Sequence, residues 1–238
     1  MSDTIPYHPG AAASTNADET VPFVPGKEVP TTDLPVMTIS AKEELPNSMQ
    51  SPFRQHVVVA ADKSGSMSGP KIAELNLAIQ ALVQELADPA NKDGFDISVI
   101  FFNGSADRVV FNERATKVSV PAARSGGGTN IESAVKQAAS TVTEFANLPN
   151  PDGFRHHHPV AIVMSDGHSS ISDQACDELK EVADTIAVAF GSGADKHLLS
   201  RIASDGTVEE IGTRGDELRK FFANVGKTLS QVHQSRRI

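Results

Sequence analysis

Cysteine is all but missing from this 238-residue chain; Cys176 is the single one. One thiol forms no intramolecular disulfide and no cysteine-based zinc site, and the scarcity suits a reducing compartment. Basic residues are also in deficit. Lys and Arg total 21 against 30 Asp and Glu, for a net charge of −9 and a pI near 5.3. An acidic chain repels phosphate backbones and anionic bilayers, so neither nucleic acid nor membrane is an expected partner. Long apolar runs are absent too. None approaches the roughly 20 residues that a membrane span needs, and no basic stretch leading into an apolar one follows Met1, so no signal peptide is expected. These absences together predict a soluble, cytoplasmic protein. Hydrophobic residues make up 39%, slightly low for a wholly globular chain, which points to an unfolded portion.

That portion is predicted at the start. Eight of the 14 prolines lie within residues 1–54, among Ala, Ser, Thr, Asp and Glu. Proline fixes φ and removes a backbone donor, so no hydrogen-bonded ladder runs through such a stretch. Residues 1–54 therefore read as a Pro-rich, disordered tail and residues 55–238 as one domain. Two apolar patches in the tail, Val21–Val24 and Leu34–Val36, are candidates for docking on a partner or back on the domain.

From His56 onward, short apolar runs alternate with amphipathic ones. The expected strands are His56–Ala61, Phe95–Phe102, Val160–Met164, Thr185–Phe190 and Thr207–Ile211. Asn103-Gly104 is a hairpin signal that would return Asp107–Phe111 as an antiparallel edge strand. Ile72, Leu75, Ile79, Leu82, Val83 and Leu86 recur at helical spacing after Pro70, which a first helical turn tolerates. Ile131 to Phe145 and Leu218 to Val232 repeat that pattern. Ser172 and Asp195 are expected N-caps, and Gly206 is an expected helix stop. The predicted fold is α/β, doubly wound: a mostly parallel sheet with one antiparallel edge strand and helices on both faces.

In such a sheet, ligands bind just beyond the carboxyl ends of the strands. The first strand runs into Asp62-Lys63-Ser64-Gly65-Ser66, and the Val160 strand runs into Ser165-Asp166-Gly167. Between them in sequence lies Gly126-Gly127-Gly128-Thr129, leading into a helix. Asp62, Ser64, Ser66, Thr129 and Asp166 offer only oxygen, two of them as carboxylates and three as hydroxyls. Hard cations such as Mg²⁺ or Mn²⁺ want that donor set, at roughly 2.1 Å for Mg²⁺. The i, i+2, i+4 spacing lets one loop aim three oxygens inward, with Gly65 permitting the bend.

Asp62-x-Ser64-x-Ser66, then Thr129, then Asp166-Gly167 resembles the metal-ion-dependent adhesion site of von Willebrand factor A domains. The three parts fall in that family's order on its fold, over most of residues 56–235. The resemblance implies a Rossmann-like fold, a bound Mg²⁺ (or Mn²⁺ or Ca²⁺), and direct ligation by Ser64 and Ser66. Thr129 would ligate directly or through water, and Asp62 and Asp166 mostly through water. It also implies a protein partner whose Asp or Glu fills the open position. The local ion would outweigh the distant acidic net charge. Gly191-Ser192-Gly193-Ala194-Asp195 ahead of Leu198-Leu199, and the last helix with Phe221-Phe222, resemble the bacterial tellurium-resistance and stress-response A domains of the TerY type. Those are associated with a kinase and a phosphatase. Two departures stand out: the Pro-rich tail, and His168-Ser169-Ser170 where many relatives carry a proline-containing turn.

Blander roles compete. Asp62 and Asp166 also suit turns, and Ser64 and Ser66 also suit a helix cap. His156-His157-His158 invites a second metal, but it precedes the Val160 strand. Seven residues at roughly 3.3 Å each put it more than about 20 Å from Asp166, so a solvated loop is expected. His168 stands beside Asp166 and is a candidate to touch a partner. Gly65-Ser66-Met67-Ser68-Gly69 lacks the central serine of a nucleophile elbow, and Cys176 reads as a buried helix residue. The chain is thus expected to be a binding module and not an enzyme. A Mg²⁺-dependent phosphoryl-transfer or hydrolytic enzyme, with only Lys63 and His168 as helpers, and a scaffold with a structural metal remain the alternatives.

Overall fold

A computed structural model describes residues 50–213 and 216–236. Among the described residues, seven strands and five α-helices follow one another: β1 (Phe53–Asp62), α1 (Pro70–Leu86), β2 (Phe95–Phe102), β3 (Ala106–Arg114), α2 (Ile131–Ala146), β4 (Arg155–His156), β5 (Val160–Ser165), α3 (Asp173–Val182), β6 (Asp184–Phe190), α4 (Lys196–Ile202), β7 (Val208–Ile211) and α5 (Glu217–Ser235). The main sheet has the order β3-β2-β1-β5-β6-β7. All its pairs are parallel except β2 with β3, the antiparallel hairpin at one edge. The short β4 pairs with the start of β1, Phe53 opposite Arg155 and Arg54 opposite His156.

Alternation along β1 sorts the core into two layers, because successive side chains leave opposite faces of a strand. Val57, Val59 and Ala61 pack with Leu75, Ile79, Leu82, Leu218 and Phe222, under α1 and α5. Val58 and Ala60 pack with Ile131, Val135, Leu179, Leu198 and Ile202, under α2, α3 and α4. Both faces of the sheet are therefore covered, which is why β1, β2 and β5 contain the continuous apolar stretches Val57–Ala61, Val99–Phe102 and Val160–Met164. Among the described residues, no helix is long and apolar enough to cross a membrane.

Several boundaries depart from expectation. β1 starts at Phe53, inside the stretch assigned to the tail, and Ser51 is already buried with its N–H on the Lys92 carbonyl, 2.8 Å away. Residues 50–54 thus belong with the domain, and the two apolar tail patches lie outside the described residues. Gly206 does not stop a helix. α4 ends at Ile202, and Gly206, at φ 74°, makes the following turn by donating to the Ala203 carbonyl. α5 buries Leu218, Phe222, Gly226, Ser230 and His233, leaving Phe221, Val225 and Leu229 only partly covered. The small Gly226 and Ser230 let α5 approach α1 closely, and that close approach sets the buried seam. Ser230 donates to the Glu85 carbonyl and accepts from the Asn91 amide.

Candidate metal centre

The order of strands brings the predicted loops together. β1 and β5 are neighbours, with Ala61 opposite Met164, so Asp62 and Ser165 end the two strands side by side. The chain leaves β1 through α1 to one side of the sheet and leaves β5 through α3 to the other. This is the switch point at which an open α/β sheet forms a crevice.

Asp62 is fully buried and both its oxygens are engaged. Oδ1 accepts the Ser64 N–H at 2.7 Å, and Oδ2 accepts the Ser165 hydroxyl at 2.6 Å. Burial pushes its carboxyl above the usual range; the hydrogen bonds from Ser165 and Ser64 pull it back down, and the nearby Asp166 charge adds to the rise. An aspartate so committed holds the loop and acts on a ligand only through intermediaries.

Beyond it runs a chain of oxygens. Ser64 Oγ lies 2.9 Å from Ser66 Oγ, and the Ser66 hydroxyl donates to Asp166 Oδ1 at 2.6 Å. Asp166 Oδ2 accepts from Lys71 Nζ at 2.5 Å. A β-carbon added at Gly167 would stand 3.3 Å from Thr129 Oγ1 and 3.8 Å from Ser66 Oγ, so both hydroxyls approach this bare glycine. Ser64 and Asp166 are buried, Thr129 is half-buried and Ser66 is exposed, which leaves the cluster open on one side.

Backbone lacing holds the glycine loop against the Asp62 loop. Gly65 donates to the Gly127 carbonyl at 3.0 Å, and Gly126 donates to the Lys63 carbonyl at 2.8 Å. Gly127 sits at φ 79°, a region open to glycine, and a β-carbon there would stand 3.0 Å from Asn103 Nδ2. Asn103 itself clamps the loop: its amide donates to the Gly126 carbonyl, and its carbonyl accepts from Asn130 N.

All five predicted residues therefore meet at the carboxyl ends of the central strands β1 and β5. Sequence reasoning missed Ser165, Lys71 and Asn103. Ser165 adjoins Asp166 and Asn103 sits in the predicted turn, so proximity was a signal for those two; Lys71, 95 positions from Asp166, offered none. Two named helpers point elsewhere. Lys63 pairs with Asp107 at 3.1 Å, and His168, largely exposed, faces the Asp195 carboxylate at 3.6 Å. His156–His158 lie at the opposite end of β1. His157 stacks on Phe53, and the His156 ring meets the Phe145 edge. Cys176 is buried in α3, and burial pushes its thiol up.

The donor set fits a hard divalent ion. Oxygens at adjacent octahedral positions, each at roughly 2.1 Å from the metal, stand about 3 Å apart. The Ser64–Ser66 separation of 2.9 Å is near that value, and the Ser66–Asp166 hydrogen bond ties the pair to the carboxylate behind it. Among the described residues no three His, Cys, Asp or Glu side chains gather as a metal cage, so any ion held here depends on hydroxyls.

A doubly wound sheet with an oxygen-lined crevice at its switch point places the chain among the open α/β domains. Residues 56–224 match the von Willebrand factor type A domain, and the chain belongs to that family. Solved structures agree on the fold. A von Willebrand factor type A protein from Catenulispora acidiphila is 19% identical at a TM-score of 0.60, over 73% of this chain and 42% of that one. Proximal thread matrix protein 1 of the mussel byssus, with a zinc-occupied MIDAS motif, is 18% identical at a TM-score of 0.58, over 75% and 49%. BatB of Bacteroides thetaiotaomicron is 17% identical at a TM-score of 0.54, over 76% and 98%. The match thus spans less than half of the first two relatives. No curated protein matches the chain.

Proposed function

We propose that this chain is a metal-dependent protein-binding module. Ser64, Ser66 and Thr129 would hold Mg²⁺, with Mn²⁺ or Ca²⁺ as substitutes, and Asp62 and Asp166 would support the site from behind. When bound, the ion supplies an electrophilic position for a partner's Asp or Glu. The observation that carries this reading is the pair of hydroxyls of Ser64 and Ser66, 2.9 Å apart and backed by Asp166, at the open switch point of the sheet. The metal motif named for the mussel relative supports it. Few direct carboxylate ligands would leave the ion much of its charge, and a fixed ion dominates its surroundings over distant net charge.

The finer reading is a cytoplasmic component of a bacterial tellurium-resistance or stress-response signalling complex, with a kinase or phosphatase as partner. It rests on the resemblance of Gly191–Asp195 and the Phe221-Phe222 helix to TerY-type domains. Residues 1–49 are proposed as a Pro-rich extension of the domain.

The enzyme alternative needs a base or charge clamp beside the ion: Lys63 and His168 are each paired with another carboxylate, and Lys71 is bonded to Asp166. Calorimetric Mn²⁺ titration of wild type and Thr129→Ala is the direct test, followed by capture of partners with Mg²⁺ and with EDTA. The expected outcome is saturable one-site binding weakened about tenfold or more in the variant, and a partner retained only by wild type in Mg²⁺. Capture that is indifferent to both metal and Thr129 would overturn the docking role. Turnover of phosphate esters lost in Asp166→Ala would establish the enzyme instead.

A further inference from the structure

Lys71 occupies an unusual place for a lysine. It is the second residue of α1, where the helix macrodipole is positive and a cation is disfavoured, and no acidic residue stands in that first turn to offset it. Its partner is instead 95 positions away. Nζ donates to Asp166 Oδ2 at 2.5 Å, and the Asp166 side chain has 0% exposure. The placement is built by its surroundings. Pro70 starts α1 directly after the Asp62–Gly69 loop, so Lys71 stands at that loop's exit. Across from it lies Gly191, at φ 85°. A β-carbon there would strike Thr213 Cγ2 at 2.8 Å and stand 3.8 Å from Lys71 Cε and Nζ. A bare glycine thus borders the lysine's path to Asp166.

We propose that Lys71 is the resident counter-cation of the metal centre. It neutralises Asp166, so that the site binds its divalent ion less tightly but leaves the bound ion one unit of positive charge for the partner's carboxylate. This rests on the metal reading of the site. The formal charges make the argument. Asp62 and Asp166 contribute −2 and Lys71 contributes +1, while Lys63 is held on Asp107. A divalent ion raises the sum to +1, which one incoming carboxylate cancels. With Lys71 removed, the loaded site is already neutral, and the attraction for a carboxylate falls. At this separation opposite and like charges interact strongly in a partly desolvated setting. The same lysine, bonded to Oδ2 while Ser66 holds Oδ1, keeps the carboxylate oriented behind the hydroxyls.

The test uses the full chain with Mn²⁺ alone, then acetate. Wild type, Lys71→Met, Lys71→Gln and Lys71→Arg are titrated with Mn²⁺ by calorimetry. The Mn²⁺-saturated proteins are then titrated with acetate, following the loss of water-proton relaxivity as a carboxylate replaces Mn²⁺-bound water. Lys71→Met and Lys71→Gln are expected to bind Mn²⁺ at least about tenfold tighter and acetate several-fold more weakly, and Lys71→Arg is expected to track wild type. A merely structural lysine would weaken both steps in the neutral variants. Glutamine keeps a hydrogen-bond donor, so one soluble neutral variant with a wild-type melting profile suffices. Unchanged or weaker Mn²⁺ binding in the neutral variants overturns this inference alone. Absence of Mn²⁺ binding by wild type and variants alike overturns it together with the metal reading.

Discussion

Ser165 Oγ reaches Asp62 Oδ2 at 2.6 Å and also accepts the Gly167 N–H at 3.2 Å, tying the ends of both central strands to the loop that follows. In Ser165→Ala, a buried carboxylate oxygen is left without its donor. Such groups lose about 1–3 kcal/mol, and urea unfolding should show a loss of that size together with weaker metal binding. A second residue-scale prediction concerns His56. It is buried against Phe145 at a ring separation of 4.2 Å, with Nε2 2.8 Å from Ser98 Oγ, and burial lowers its pKa from 6.5 to about 3, helped by His156 and Arg108. Between those values the unfolded chain takes up a proton that the folded chain refuses. His56 therefore contributes stability in full above pH 6.5 and loses it as pH falls through 6.5 towards 3. Asp96 opposes this, since burial raises its pKa to about 6. The comparison must accordingly be differential: the stability advantage of wild type over His56→Gln should shrink below pH 6.5, by on the order of a few kcal/mol at the acid limit. A difference that stays constant from pH 7 to pH 4 would refute the assignment.

Helix α5 lies on α1 through Gly226. A β-carbon there would stand 2.7 Å from Glu85 Cβ and 3.4 Å from Leu82 Cδ1. Alanine gains about 1 kcal/mol of intrinsic helix preference over glycine, but the clash falls on a β-carbon close to the backbone and not on a flexible tip. Overpacking of this kind costs about 1–3 kcal/mol, so Gly226→Ala should lower the melting temperature in spite of the propensity. An increase would mean that α5 shifts freely. The same helix marks the limit of pattern reading. Phe221, Val225 and Leu229 sit at helical spacing and are half-buried, while the close contact with α1 uses Gly226 and Ser230, which hydrophobic periodicity passes over. By contrast, Ser172 and Asp195 cap α3 and α4 as their side chains predict, accepting from Ala175 N and Leu198 N. Capping is a contact within one turn, so it can be read from neighbouring residues.

For the whole molecule, a ligand that binds only the folded state raises stability by RT ln(1 + [L]/Kd). Mg²⁺ at 100 times its Kd should therefore add about 2.7 kcal/mol to unfolding, visible as a rise in melting temperature in wild type and reduced in Thr129→Ala. An unchanged profile at saturating Mg²⁺ would argue against ion binding in the folded state.

The α/β class, the antiparallel edge hairpin and the oxygen-rich Asp62–Ser66 loop were legible in the chain because their signals are local or periodic. Buried parallel strands demand continuous apolar runs, amphipathic helices demand a 3.6-residue rhythm, and Asp62-x-Ser64-x-Ser66 concentrates three oxygens in one loop. Contacts between distant segments carry no such signature. The Lys71–Asp166 pair spans 95 positions, the Ser165–Asp62 bond spans 103, and the Asn91–Ser230 bond across the α1–α5 layer spans 139. Each depends on which strands lie side by side and how closely two helices approach, and those are decided by packing of the entire sheet and not by any one stretch of chain.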